Sequence, residues 1–171
     1  MNIGLADLIE RRNHQIVDHP PGGTLGDYVP FYFTPLSMMA FNIHTGRNVR
    51  QRDGSEIVVL VSSLHRLKKD ERSFLFTDRH ASVAGRRFSA DLNHLDRIDW
   101  KILQGRDFSR DNDDIDKTDR YQAEALVYKT VPVDSLLGIA CYNTEQKAFA
   151  EKLIEDRQLD LKAMIKRGWY F

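Results

Sequence analysis

Residues 123 to 128 divide onto two sides of a strand. Ala123, Ala125 and Val127 fall on one side of a period-two pattern, and Glu124, Leu126 and Tyr128 on the other. This predicts a strand with a carboxylate at its mouth, entered from the polar stretch RDFSRDNDDIDKTD, which has loop composition. Upstream, Leu5, Leu8 and Ile9 recur at helical spacing, giving a short helix over residues 5–12 that ends in Arg11 and Arg12. Residues 13–26 hold Pro20, Pro21, Gly22 and Gly23 and read as a loop. Tyr28 to Phe33 is aromatic and β-prone, with Pro30 marking an edge or irregular strand. Met38 to Ile43 is read as continuing the sheet, and residues 44–54 as a polar turn region.

The unbroken run Ile57 to Val61 predicts a central strand buried on both faces. Phe74 to Phe76 is a further short strand, and Thr77 and Asp78 are N-caps for a predicted helix through Ala81, Ala84 and Phe88. Residues 93–119 are mostly polar, with Trp100, Ile102 and Leu103 as a local anchor. Residues 136–142 are apolar again. Asn143 with Gln146 resembles a capping box opening a helix whose core face carries Phe149, Ala150, Leu153 and Ile154. Leu159, Leu161, Ala163 and Ile165 alternate into a last strand before GWYF. Short strands mixed with a few helices, without regular βαβ alternation, predict an α+β fold. At 171 residues the length prior gives one domain, residues 1–171.

Charge narrows the function classes. The chain carries 25 basic and 25 acidic side chains, so bulk charge does not hold it on nucleic acid, although a local basic groove is compatible with this balance. No apolar run is long enough to span a membrane and no signal segment opens the sequence. The single Cys141 lies in LLGIACY and reads as a small buried core residue of a reduced, cytoplasmic protein.

Several clusters carry no chemistry by themselves. Asp111, Asp113, Asp114 and Asp116 fail the calcium-loop pattern, since no Gly stands at the sixth position and the twelfth is Gln122; they read as a solvated loop. The six histidines show no HxxxH pair on a predicted helix, so no metal is expected. Gly22 and Gly23 lack the spacing of a phosphate loop. Basic groups gather at Arg47, Arg50 and Arg52, at Arg66, Lys68 and Lys69, and at Arg86 and Arg87, a composition that suits phosphate contacts and base stacking on a single strand. Arg11 and Arg12 close the first helix, where cations face its dipole favourably. From pattern alone, Glu124 reads either as a rim glutamate paired with Arg120 or Lys129, or as a catalytic carboxylate placed where a loop enters the core.

RYQAEALVY followed by VP, CYN and GWYF, with GGTLGDYVPFYFTP upstream, resembles the DarT family of bacterial toxins. The similarity runs from Ile3 to Phe171. It implies an ADP-ribosyltransferase fold, a split and mostly antiparallel sheet with a central cleft and a few helices. It also implies a glycosyl transferase that moves ADP-ribose from NAD, as substrate and without a metal, onto a base of single-stranded DNA. Thymine is the usual implied base, with guanine in a related branch; a macrodomain antitoxin that reverses the modification is the implied partner, and the bacterial cytoplasm the implied location. The glutamate of the family's AE pair falls on Glu124, and the pattern IGxxxLIxxR puts the essential arginine on Arg12 rather than Arg11. By the same resemblance Gly4, Arg12 and Tyr32 contact NAD, while Met39, His80, Arg87 and Arg120 lie towards the DNA. In the family the loop before the glutamate helps choose the substrate. One segment departs from the pattern: where the family has SPM, this chain reads Ser37, Met38, Met39.

The chemistry fits these residue types. Breaking the nicotinamide–ribose bond develops positive charge on the ribose, which a carboxylate stabilises, and an arginine stabilises diphosphate or charge growing on the attacked base. Two other readings stay open: a non-catalytic DNA-binding module on the same fold, and an NAD glycohydrolase that transfers to water. Family members also carry, before the IG motif, a first strand and helix with an NAD-contacting histidine. This sequence starts Met1-Asn2-Ile3-Gly4, so the expectation is a truncated form with weakened NAD binding.

Overall fold

The computed structural model describes residues 6–171; the sequence expectations at Ile3, Gly4 and Leu5 lie outside the described residues. In chain order the elements are α1 (Ala6–His14), β1 (Tyr28–Tyr32), α2 (Met38–Thr45), β2 (Val59–Val61), α3 (Leu64–Lys69), β3 (Phe74–Thr77) and β4 (Phe88–Ser89). They continue with α4 (Trp100–Gly105), α5 (Lys117–Arg120), β5 (Glu124–Tyr128), β6 (Gly138–Cys141), α6 (Thr144–Asp156) and β7 (Ala163–Ile165). Two sheets form. One is antiparallel in the order β1-β5-β3-β4, and the other runs β2-β6-β7 with β6 and β7 parallel across α6.

The alternation of β5 has the consequence expected of it. Ala123, Ala125 and Val127 join Phe74 and Phe76 in one core, roofed by Leu64 and Leu67 of α3, Leu103 of α4, and Ile98. Leu126 enters a second core on the opposite face, with Leu75, Tyr28, Val17, Leu25 and Ala81. Thus β3 and β5 are covered on both faces, and β1, with its Pro30, is an edge strand among the described residues.

Four expectations are corrected. The run Ile57 to Val61 is not a central strand: only Val59–Val61 pair, at the edge of the smaller sheet, and Leu60 stays 47% exposed. Met38 to Ile43 does not continue the sheet but lies in α2, because Ser37 accepts the Ala40 N–H as N-cap and Gly46, at φ 73°, closes the helix in the left-handed region. The helix expected over residues 78–88 is absent. Local side-chain bonds outcompete it: Thr77 Oγ1 donates to Arg79 O, Asp78 Oδ1 accepts from Arg87 N–H, and His80 Nδ1 accepts from Ser82 N–H. In α6, Asn143 is the N-cap as expected, but Gln146 Oε1 accepts from Tyr142 N–H rather than closing a box. Only Ala150 and Ile154 of its expected core face join the Cys141 cluster; Phe149 is 66% exposed and Leu153 is exposed too. Among the described residues no helix is long and apolar enough to cross a membrane.

Candidate active site

Glu124 opens β5 directly opposite Tyr32, the last residue of β1, so the two side chains share one end of the sheet. The carboxylate is 1% exposed, far from the rim position that its loop-edge location suggested. Neither Arg120 nor Lys129 is its partner. Arg12 Nη1 donates to Glu124 Oε2 at 2.9 Å, and the Ala81 backbone N–H donates to Oε1 at 3.0 Å. The carboxylate is therefore held at both oxygens by elements from opposite sides, α1 and the turn after β3 (Phe74–Thr77).

That turn is fixed by Thr77, a fully buried hydroxyl. Its Oγ1 accepts the Glu124 N–H at 3.3 Å and donates to Arg79 O at 2.6 Å. The His80 N–H donates to Asp119 O at 2.9 Å, tying the turn to the segment that leads into β5. His80 Nδ1 lies 3.8 Å from Glu124 Oε1 but already accepts the Ser82 N–H at 3.0 Å. A neutral imidazole so engaged carries its proton on Nε2. Burial holds the His80 pKa below the usual value, with the Glu124 carboxylate pulling the other way. Burial also pushes the Tyr32 phenol up to about 12, and the neighbouring Glu124 charge adds to the effect.

These groups face a cleft of about 560 Å³, a size suited to a small-molecule ligand. Its walls come from α1 (Ile9, Arg11, Arg12), β1 (Tyr28, Pro30, Tyr32), α2 (Met38, Met39, Asn42), the turn at His80 to Val83, and Asp119, Gln122 and Glu124. Among the described residues, Nη2 of Arg12 is buried with no hydrogen-bond partner, a costly state for a guanidinium N–H. The donor set thus fits a phosphorylated, hydroxyl-rich ligand such as NAD.

Of the residues singled out from sequence, the structure brings Arg12, Tyr32, Met39, His80 and Glu124 to one cleft. Arg87 is exposed and not among the lining residues, contributing its backbone N–H to Asp78. Arg120 is also outside the lining, with its guanidinium on Asp99, Asp114 and Asp116. Gly4 lies outside the described residues. The aspartate run stays solvent-facing, as the loop reading expected, while Lys117 beside it is buried with its ammonium on Asp107 at 2.9 Å and on Ser109 Oγ at 3.2 Å. Sequence reasoning missed Ala81, Thr77 and Gln122. The first acts through its backbone and the second through a hydroxyl at a strand end, which no residue pattern marks.

All 171 residues match the protein family described as ssDNA thymidine ADP-ribosyltransferase, DarT. The chain is 46% identical to a DNA ADP-ribosyl transferase of Escherichia coli O127:H6 over 172 residues, spanning 100% of this chain and 79% of the relative. It superposes on the DarT of Thermus sp. 2.9 in complex with ADP-ribosylated ssDNA with a TM-score of 0.92, at 34% identity, covering 100% of this chain and 81% of that one. The same Thermus protein in complex with NAD+ gives 0.86 at 33% identity, over 94% of this chain and 81% of that one.

Proposed function

Since the chain belongs to the DarT family, we propose that it transfers ADP-ribose from NAD onto a base of single-stranded DNA, with thymine as the acceptor. The observation that carries this reading is the buried Arg12–Glu124 pair, two residues that both line the cleft. Residues 1–171 then act as one ADP-ribosyltransferase-like domain.

Glu124 serves the ribose. Two donors hold its carboxylate in place before substrate arrives, so it meets positive charge developing on the sugar without reorganising. Arg12 both orients that carboxylate and brings its positive charge to diphosphate or to charge growing on the attacked base. Tyr32, protonated at any working pH, contributes an apolar face and a neutral hydroxyl to the NAD side. His80 and Met39 line the same cleft and are assigned to the acceptor side by the family resemblance; the His80 Nε2–H, unpartnered among the described residues, would read a base edge. Base chemistry of this kind needs an unstacked nucleotide, which favours single strands. A macrodomain antitoxin that removes the modification is the proposed partner, the chain being the toxin of such a pair in a bacterial cytoplasm; the family resemblance supports both.

The test is incubation with NAD and a short single-stranded oligonucleotide, read by mass spectrometry. An ADP-ribose adduct on DNA is expected. Free ADP-ribose alone would make the protein a glycohydrolase, and neither product a non-catalytic module. Glu124→Gln should lower transfer by about 10²–10³-fold while the variant stays folded; a folded variant with near-normal transfer would remove Glu124 from the chemistry.

A further inference from the structure

Arg120 stands four residues before Glu124 in a chain proposed to bind DNA, and a cation there invites assignment to a phosphate. Its surroundings argue otherwise. Nε donates to Asp99 Oδ2 at 3.2 Å, Nη1 and Nη2 fork onto the two oxygens of Asp114 at 3.0 and 2.7 Å, and Nη1 also pairs with Asp116. Arg79 Nη1 reaches the other oxygen of Asp116 at 3.0 Å. Three carboxylates against two guanidiniums leave the cluster net negative. A phosphate approaching it would meet like charge and would have to displace charge-assisted hydrogen bonds already made.

The carboxylates come from two segments. Asp99 is the N-cap of α4, its other oxygen accepting the Ile102 N–H, and α4 is anchored in the core by Leu103. Asp114 and Asp116 lie in the turn that leads into α5, and Arg79 precedes His80. Arg120 itself sits between Asp119, whose carbonyl holds the His80 N–H, and Tyr121, whose hydroxyl donates to Leu36 O from within the core. We propose that Arg120 is a positioning residue: its fork ties the turn before β5 to α4 and so sets the cleft wall that holds His80 and Glu124, and it takes no DNA phosphate. This rests on the transfer reaction proposed above.

The test compares Arg120→Lys, Arg120→Gln and Asp114→Asn with the unsubstituted chain. Lysine keeps the charge but cannot span three carboxylates. Three readouts are taken: kcat and KM for transfer, the salt dependence of binding to a fluorescein-labelled single-stranded oligonucleotide of mixed sequence, and hydrogen exchange over residues 107–121. Positioning predicts that both Arg120 variants lose kcat by roughly 10²-fold, that Asp114→Asn falls with them, that exchange over 107–121 speeds up, and that the salt slope is unchanged. A phosphate contact predicts instead that Arg120→Lys keeps wild-type rate, that Arg120→Gln reduces the slope by about 0.7, and that Asp114→Asn tightens DNA binding; any of these overturns the proposal. Should the unsubstituted chain transfer nothing, the function reading fails separately, because exchange and salt slope still decide the role of Arg120.

Discussion

At the residue scale, the least conspicuous atom at the site is Thr77 Oγ1, which gives the Glu124 N–H its acceptor and pins the turn carrying Ala81. Thr77→Val keeps the shape and deletes both bonds. Leaving the buried Glu124 N–H unpaired costs about 1–3 kcal/mol, so urea unfolding should show that loss together with a fall in transfer, and Thr77→Ser should restore both. Val and Ser variants with equal activity would mean that the hydroxyl does not position the carboxylate. His80 supplies a pH-dependent counterpart. Its folded pKa lies below the ordinary 6.5, so the unfolded chain takes up the proton first. The stability this group contributes is present above 6.5 and is lost as pH falls through the depressed folded value. Urea midpoints should therefore drop on acidification from neutrality, and His80→Gln should flatten that part of the curve; an unchanged slope in the variant would assign the pH dependence to other groups. Of this cluster, the sequence showed Glu124 through its alternation. Its partner Arg12 stands 112 residues away, a distance that no periodicity bridges and that only the family resemblance crossed.

At the element scale, the placement of α1 (Ala6–His14) decides whether that pair forms, and Gly26 sets the placement. A Cβ on Gly26 would stand 2.2 Å from Asn13 Oδ1 and 3.1 Å from Asn13 Cα. The side-chain atom can swing away, but the Cα can give only if the helix moves and takes Arg12 with it. Gly26→Ala should therefore reduce transfer by about 10²-fold while shifting Tm modestly; wild-type transfer in this variant would show that α1 tolerates the displacement. The elements differ in how plainly their sequences announced them. β5 (Glu124–Tyr128) was readable as a short apolar run entered from a polar loop, because both of its faces enter cores. α2 (Met38–Thr45) was not, since MMAFNI is apolar at consecutive positions and fits strand or helix equally. The deciding signals were its ends, Ser37 and Gly46. IVVLV misled for the opposite reason: an apolar run says that burial is possible, while Leu60 at the sheet edge is half exposed. Between residues 77 and 88, the Thr77, Asp78 and His80 side chains bond nearby backbone, and that competition outweighs a helical spacing of alanines.

At the scale of the whole molecule, a chain with no net charge must bind DNA through a few local phosphate contacts. Each such contact on a single strand contributes a slope of about 0.7 in log affinity against log salt, so a shallow salt dependence is expected. Single-stranded and duplex oligonucleotides of one sequence should differ sharply as substrates, because the acceptor base must leave its stack to reach a buried Glu124. Equal modification of the two would contradict that requirement. The general architecture was legible as mixed short strands and helices; that they divide into two sheets was not, because pairing partners such as β1 and β5 lie about a hundred residues apart.

That distance bears on how the protein is made. β1 (Tyr28–Tyr32) has β5 as its sheet neighbour, and β5 is also the partner of β3 (Phe74–Thr77). A ribosome-bound chain that has not yet exposed Glu124–Tyr128 therefore has a first strand with nothing to pair with and an arginine with no carboxylate to meet. Closing so large a loop is the slow kind of step in folding. The last strand to arrive in the larger sheet is the one that carries the carboxylate, so nascent chains shorter than this remain without a complete site.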